Sequence, residues 1–218
     1  EGGTIPIADG MADFSDIALE SHKLAVFLKL EEALIKDATF NIEDYLVSRL
    51  AKNFGRAEDN GFINGTGADM PTGILAADGG AEVGVTASAI TYEDVVKLFF
   101  SVKPEYRKNG VWLINDETAL ALRTLKDEGG NYIWNHVNDT ILGKKVCISE
   151  FMPSAESGSK PIAFGDFSYY WIVGRCPVSI RTLVEQFAMV DCIGYLAYEF
   201  LDGKLVRPEA IKVMEMTA

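Results

Sequence analysis

The stretch Glu58-Asp59-Asn60-Gly61-Phe62-Ile63-Asn64-Gly65-Thr66-Gly67-Ala68-Asp69-Met70-Pro71-Thr72-Gly73-Ile74-Leu75 decides how this chain is read. Its glycines invite two phosphate-binding readings, and both fail. A phosphate loop needs Lys followed by Ser or Thr after its last Gly, but Ile74-Leu75 follows Gly73. A dinucleotide fingerprint needs Gly where Met70 stands, and a strand before it. What precedes it has a helical period instead. Ile42, Tyr45, Leu46, Leu50, Phe54 and Ala57 recur at three- and four-residue steps, with Arg49, Lys52, Asn53 and Arg56 between them. Asn41 suits the N-cap, and Glu43 and Asp44 suit a first turn. The pattern predicts a helix of about 18 residues, stopped by Gly61 and the Asn64–Gly67 cluster.

Working outward, Thr91 with Asp94 predicts a capping pair for a second helix through Val95, Leu98, Phe99 and Val102, closed by Pro104. Val111–Ile114 reads as a short apolar strand, and Asn115 or Asp116 as the cap of a third helix. Strands are expected at Lys145–Ser149, Ile162–Phe164, Tyr169–Val173, Val178–Val184, Met189–Glu199 and Ala210–Met214. A hairpin turn is expected at Asp202-Gly203. Toward the N-terminus, residues 14 to 30 alternate as extended strands, and residues 1 to 10 are too poor in core residues to pack on themselves. Helices first and strands later favour an α+β class.

The 218 residues are 48% apolar and 24% charged, enough to bury a core. Lys plus Arg total 20 against 32 Asp plus Glu, a net charge of -12, which disfavours free binding to DNA or an anionic membrane. No apolar run approaches the roughly 20 residues of a membrane span. Three widely spaced cysteines, Cys147, Cys176 and Cys192, argue for a reducing compartment and against a disulfide framework. The chain begins at Glu1, not Met, and a segment upstream is expected.

No catalytic, cofactor or metal residue is predicted. His22 and His136 have no ligand at metal spacing. Ser157-Gly158-Ser159 reads as a mobile linker without a nucleophile elbow. The adjacent acids Glu31-Glu32, Glu43-Asp44, Glu58-Asp59 and Asp127-Glu128 read as solvated surface, since neighbours on a helix do not share a face. The run Phe167–Trp171 alternates as a strand would, in a core or a subunit interface. A hydrolase with no visible signature is the reading from another class.

The deciding stretch, taken with several others in order, resembles the tailed-phage major capsid protein family, which has the Hong Kong 97-type fold. Phe62–Leu75 is similar to that family's "aflnGdG…PtGil" segment. Leu122–Trp134 resembles its "L…LkD.dGrYlw", Leu142–Val146 its "LlGkpV" and Ile162–Phe167 its "i.fGDf". Glu199, Asp202-Gly203 and Pro208–Ala210 resemble its closing "eR.dg.v..peAf". The resemblance implies a long spine helix, an extended loop, and peripheral and axial domains. Residues 1–20 would be part of the extended loop, lying over a neighbour. Residues 21–64 and 178–207 would be the peripheral domain, and 65–177 with 208–218 the axial domain. The family's N-terminal arm and any scaffolding segment would lie upstream of Glu1.

The function so implied is that of a structural shell protein, not an enzyme, with no cofactor. It would assemble into hexamers and pentamers around double-stranded DNA without sequence-specific binding. Portal, scaffolding or protease partners would act during assembly. The place would be the virion, with the host cytoplasm before it. Some members crosslink through Lys, Asn and Glu. Here the first Lys is Lys23, and the other two places read approximately Val190 and Tyr198, so no isopeptide chemistry is expected. An encapsulin-like nanocompartment shell is the alternative on the same fold.

Overall fold

The computed structural model describes residues 17–37, 41–127, 129–135 and 137–217. The chain opens with strand β1 (His22–Glu31), followed by the short helix α1 (Glu32–Asp37) and the long helix α2 (Ile42–Asn64). Next come β2 (Glu82–Ala87), α3 (Tyr92–Ser101), α4 (Pro104–Arg107), β3 (Val111–Ile114) and α5 (Asp116–Thr124). Strands then dominate: β4 (Trp134–Asn135), β5 (Thr140–Ile141), β6 (Lys144–Ile148), β7 (Ile162–Gly165), β8 (Tyr170–Leu183), β9 (Cys192–Leu205) and β10 (Ile211–Met216).

They form two sheets. One has three strands in the order β1-β9-β8, all antiparallel. The other has seven, in the order β2-β10-β7-β3-β6-β5-β4, with parallel pairs β2–β10 and β3–β6. The larger sheet holds the main core. Trp112 and Phe164 on paired strands β3 and β7 bring their rings to 4.2 Å, and Phe99 of α3 stacks 5.2 Å from Phe164. Trp112 is fully buried, and its indole N–H donates to the Ile141 carbonyl at 3.0 Å, so its one polar atom is satisfied.

The expected helix caps form. Thr91 Oγ1 accepts from the Asp94 amide, and Asn115 Oδ1 from the Thr118 amide at 2.8 Å. Pro104 does not merely close the second helix; it opens α4, where its missing N–H costs nothing. The long helix is 23 residues, not about 18. Gly61 stays helical, and its carbonyl accepts from the Gly65 amide at 2.9 Å. The strand β2 has no counterpart among the expected strands; it is short, and Gly84 interrupts its run of Val and Thr. The segments expected at 169–173 and 178–184 are one strand, β8, with register shifts between Gly174 and Ser179 around Pro177. Phe167–Tyr169 is a 3₁₀ turn rather than strand.

The hairpin at Asp202-Gly203 does not form. β9 runs straight through it, pairing Asp202 with Val173 and Gly203 with Ile172. The pair is there for tertiary reasons. Asp202 is buried, accepting from the Glu20 amide at 2.7 Å and facing His22 Nε2 at 3.6 Å. A Cβ on Gly203 would lie 2.5 Å from Tyr170 Oη and 2.8 Å from Phe62 Cδ1.

Candidate functional site

The deciding stretch is the joint between the two sheets. As α2 ends, the Gly65 amide donates to the Gly61 carbonyl, and the chain turns back on itself. Gly73 N–H bonds Gly65 O at 2.8 Å, Ile74 N–H bonds Phe62 O at 2.8 Å, and Leu75 N–H bonds Ile63 O at 2.9 Å. Thr72 N–H reaches Gly203 O of β9, and Tyr170 Oη of β8 donates to Thr72 O at 2.9 Å. The loop therefore laces α2 to the three-stranded sheet, while Ile63 and Ile74 pack in the cluster with Leu113, Ala163 and Val213 of the larger one. Its glycines serve backbone contact, not phosphate: a Cβ on Gly65 would meet Pro71 O at 2.1 Å and Gly61 O at 2.3 Å.

The three-stranded sheet has two unlike faces. One packs on α2 through Leu24, Val26, Leu28 and Ala197 against Leu50 and Phe54. The other is exposed, basic and aromatic. Lys23 Nζ lies 4.9 Å and the Arg181 guanidinium 5.2 Å from the Tyr198 ring, and Lys29 Nζ lies 5.5 Å from that of Phe187, which contacts Phe27. Among the described residues strand β8 is an edge of its sheet. Trp171, Ile172, Val178 and Ile180 along it are all more than 45% exposed, which is unusual for so many large apolar side chains on one strand.

The other candidates scatter. His22 faces Asp202, and His136 and Glu128 lie outside the described residues. Cys147 and Cys176 are exposed and Cys192 is buried. Among the described residues no group of three or more His, Cys, Asp or Glu is placed to hold a metal ion. Ser157–Ser159 is not a mobile linker: Ser159 Oγ accepts from the Glu156 amide at 3.0 Å and has the Ser154 and Glu156 carbonyls within reach of its one proton, and the Gly158 amide donates to Met216 O at 2.7 Å. Asp127 is bonded by Asn131, whose backbone amide holds its carboxyl below the usual range. Lys23 and Tyr198 meet within one chain, and Val190 is exposed in the turn before β9.

One carboxyl pair does form, and it joins residues distant in sequence. Glu58 of α2 and Glu199 of β9 line one cavity of about 200 Å³. Burial, then Glu58, pushes Glu199 up to about 7. Asp59 points to a different cleft, beside Asp116 and Glu150. The available signal was Glu199 itself, two residues after Ala197 and two before Leu201, both buried on the same strand face.

The model of the phage capsid family matches residues 1–216. The chain belongs to the phage capsid family. It is a structural capsid protein with the Hong Kong 97-type fold. The capsid of an empty GTA particle, computed with C5 symmetry, is 30% identical, with a TM-score of 0.77, over 99% of this chain and 81% of that one. The capsid of the native GTA particle is 28% identical, with a TM-score of 0.76, over 100% and 82%. The structure titled Gordonia phage Cozz shares the fold at 14% identity and a TM-score of 0.67, over 99% and 79%. No curated protein sequence matches this capsid chain. No helix among its described residues is long and apolar enough to cross a membrane.

Proposed function

We propose that this capsid chain assembles with its own copies, as pentamers and hexamers, into the closed shell of a phage or phage-like particle that encloses double-stranded DNA. The observation that carries this is the exposed face of the three-stranded sheet. Lys23, Lys29 and Arg181 stand on it in a chain of net charge -12. Residues 1–16 hold Glu1, Asp9, Asp13 and Asp16 and no Lys or Arg, with Ile5, Ile7, Met11 and Phe14 between them. An acidic, partly apolar segment of a neighbouring copy fits a basic, aromatic face in both respects.

In this reading residues 1–20 are the distal part of an extended loop. Residues 21–64 and 178–207 make the peripheral domain, and 65–177 with 208–218 the axial domain. The two sheets support a division in two, but β8 of the smaller sheet begins at Tyr170, so the line at 177/178 cuts that strand at the bulge around Pro177. Portal, scaffolding or protease proteins act during assembly in the host cytoplasm, and the product is the virion. The chain performs no catalysis and forms no isopeptide bond; Lys23 is spent on Tyr198 of its own chain. The family match supports a phage-type shell over an encapsulin-like one. Acid balance leaves the enclosed DNA unglued to the wall.

Electron microscopy of the full chain tests the reading: shells or capsomers are expected, and a dispersed monomer at assembly concentrations would refute it. The double variant K29E/R181E separates the docking face from the rest. Assembly should fall at least tenfold in yield, and unchanged yield would remove that face from the contact.

A further inference from the structure

The seam between α2 and the three-stranded sheet is thinly packed. Its buried core is Leu50, Phe54 and Ala197. Beside them lies the cavity of about 200 Å³ whose walls include Val47, Val178 and Ile180, and which Glu58 and Glu199 both line. Glu199 sits opposite the β8 bulge, where no β8 residue pairs with it. Its Oε1 is buried and has no hydrogen-bond partner, and Glu58 of α2 lines the same cavity. Two carboxyl groups can share a hydrogen bond only when one of them is protonated. With both ionised, two like charges face each other across an apolar wall.

The surrounding charges do not relieve this. On β1 the residue paired with Glu199 is Leu24. His22 of β1 and Asp69 of the joint border an adjoining cavity with Glu58, but His22 faces Asp202 at 3.6 Å. Lys23 borders the same cavity with its ammonium on Tyr198. From β8 the lining is Val178 and Ile180. On α2, Arg56 reaches away to Glu150 at 3.1 Å.

We propose that Glu58 and Glu199 form a proton-operated clasp: one shared proton draws α2 onto the sheet, and its loss pushes helix and sheet apart. The clasp belongs to the single chain and stands whether or not copies assemble. Glu199 rises from an ordinary 4.5 to about 7 in the folded chain. The stabilisation is therefore full below about 4.5 and is lost as pH climbs through about 7.

Hydrogen exchange on the dilute, unassembled full chain, corrected for intrinsic rates, provides the test at about pH 5.5 and about pH 8.5. Amides from Leu50 to Glu58 should lose roughly tenfold or more of their protection at the higher pH. E199Q, neutral throughout, should keep the same protection at both, and E58Q should move the change to lower pH. Carboxyl-carbon NMR of the wild-type chain gives a reading that needs no variant: one Glu should titrate near pH 7, at the midpoint of the protection loss. Protection independent of pH in the wild type, a loss that persists unchanged in E199Q, or Glu carboxyls that all titrate in the ordinary range would each overturn the clasp.

Discussion

Gly73→Ala is the most demanding test of the joint. Gly73 has no positive φ, so Ala meets no backbone penalty there, and the cost is contact alone. The added Cβ would lie 2.5 Å from Gly65 N, 2.6 Å from Ile63 O and 2.7 Å from Ile63 C, all backbone atoms that no side-chain rotation can move aside. Making room means prying the loop from the end of α2. That stretches the bonds Gly73 N–H to Gly65 O, Ile74 N–H to Phe62 O and Leu75 N–H to Ile63 O. At about 1 kcal/mol for each bond, with strain on top, the loss is about 3 kcal/mol or more. For a chain of this length that lowers Tm by roughly 6–12 °C. Gly55→Ala in the middle of α2, where the new Cβ meets nothing within 4 Å, is the control and should stabilise by about 0.5–1 kcal/mol. Urea unfolding of the unassembled chain measures both. If Gly73→Ala cost less than about 1 kcal/mol, the loop would not be a tight joint and its glycines would need another explanation.

Asn115→Ala removes the cap on Thr118 at 2.8 Å and a bond to Ser154, and should cost about 1–2 kcal/mol in the same unfolding assay. Phe164→Ala empties the centre of the larger core, between Trp112 and Phe99, and should cost about 3–5 kcal/mol. In thermal unfolding the wild-type chain should lose stability from about pH 5 to about pH 8 through Glu199, and E199Q should flatten that slope. Denaturing electrophoresis of assembled particles should show a single monomer band, and a covalent ladder would refute the reading of Lys23.

Much of the architecture was legible because local rules and tertiary demands agreed. Thr91 and Asn115 cap where their side chains predict, and Val111–Ile114 is apolar because β3 is buried between β7 and β6. The reading failed where a residue answers to a distant partner. Asp202-Gly203 has the chemistry of a turn, but Gly203 is small because Tyr170 and Phe62 press on it and Asp202 is acidic because Glu20 N–H reaches it. The adjacent acids were read as solvated surface, yet Glu58, one of them, lines a cavity with Glu199, and that pair has no short-range spacing to betray it. The deciding stretch was legible only as a likeness; its physical reason, backbone pressed on backbone, becomes visible with β9 alongside.

Strand β9 is 14 residues long, roughly 46 Å of stiff chain, and it touches everything that matters here. Ala197 and Glu199 lie over α2, Gly203 holds the joint, and Leu205 reaches into the cluster shared with the larger sheet. It works as a shaft. Around Gly203, Gly65 and Gly73 the fit leaves no room for a further atom, so the register between the two sheets is fixed at that point. A shell built from such pieces has to find its curvature in the seams between pieces, not by sliding within one.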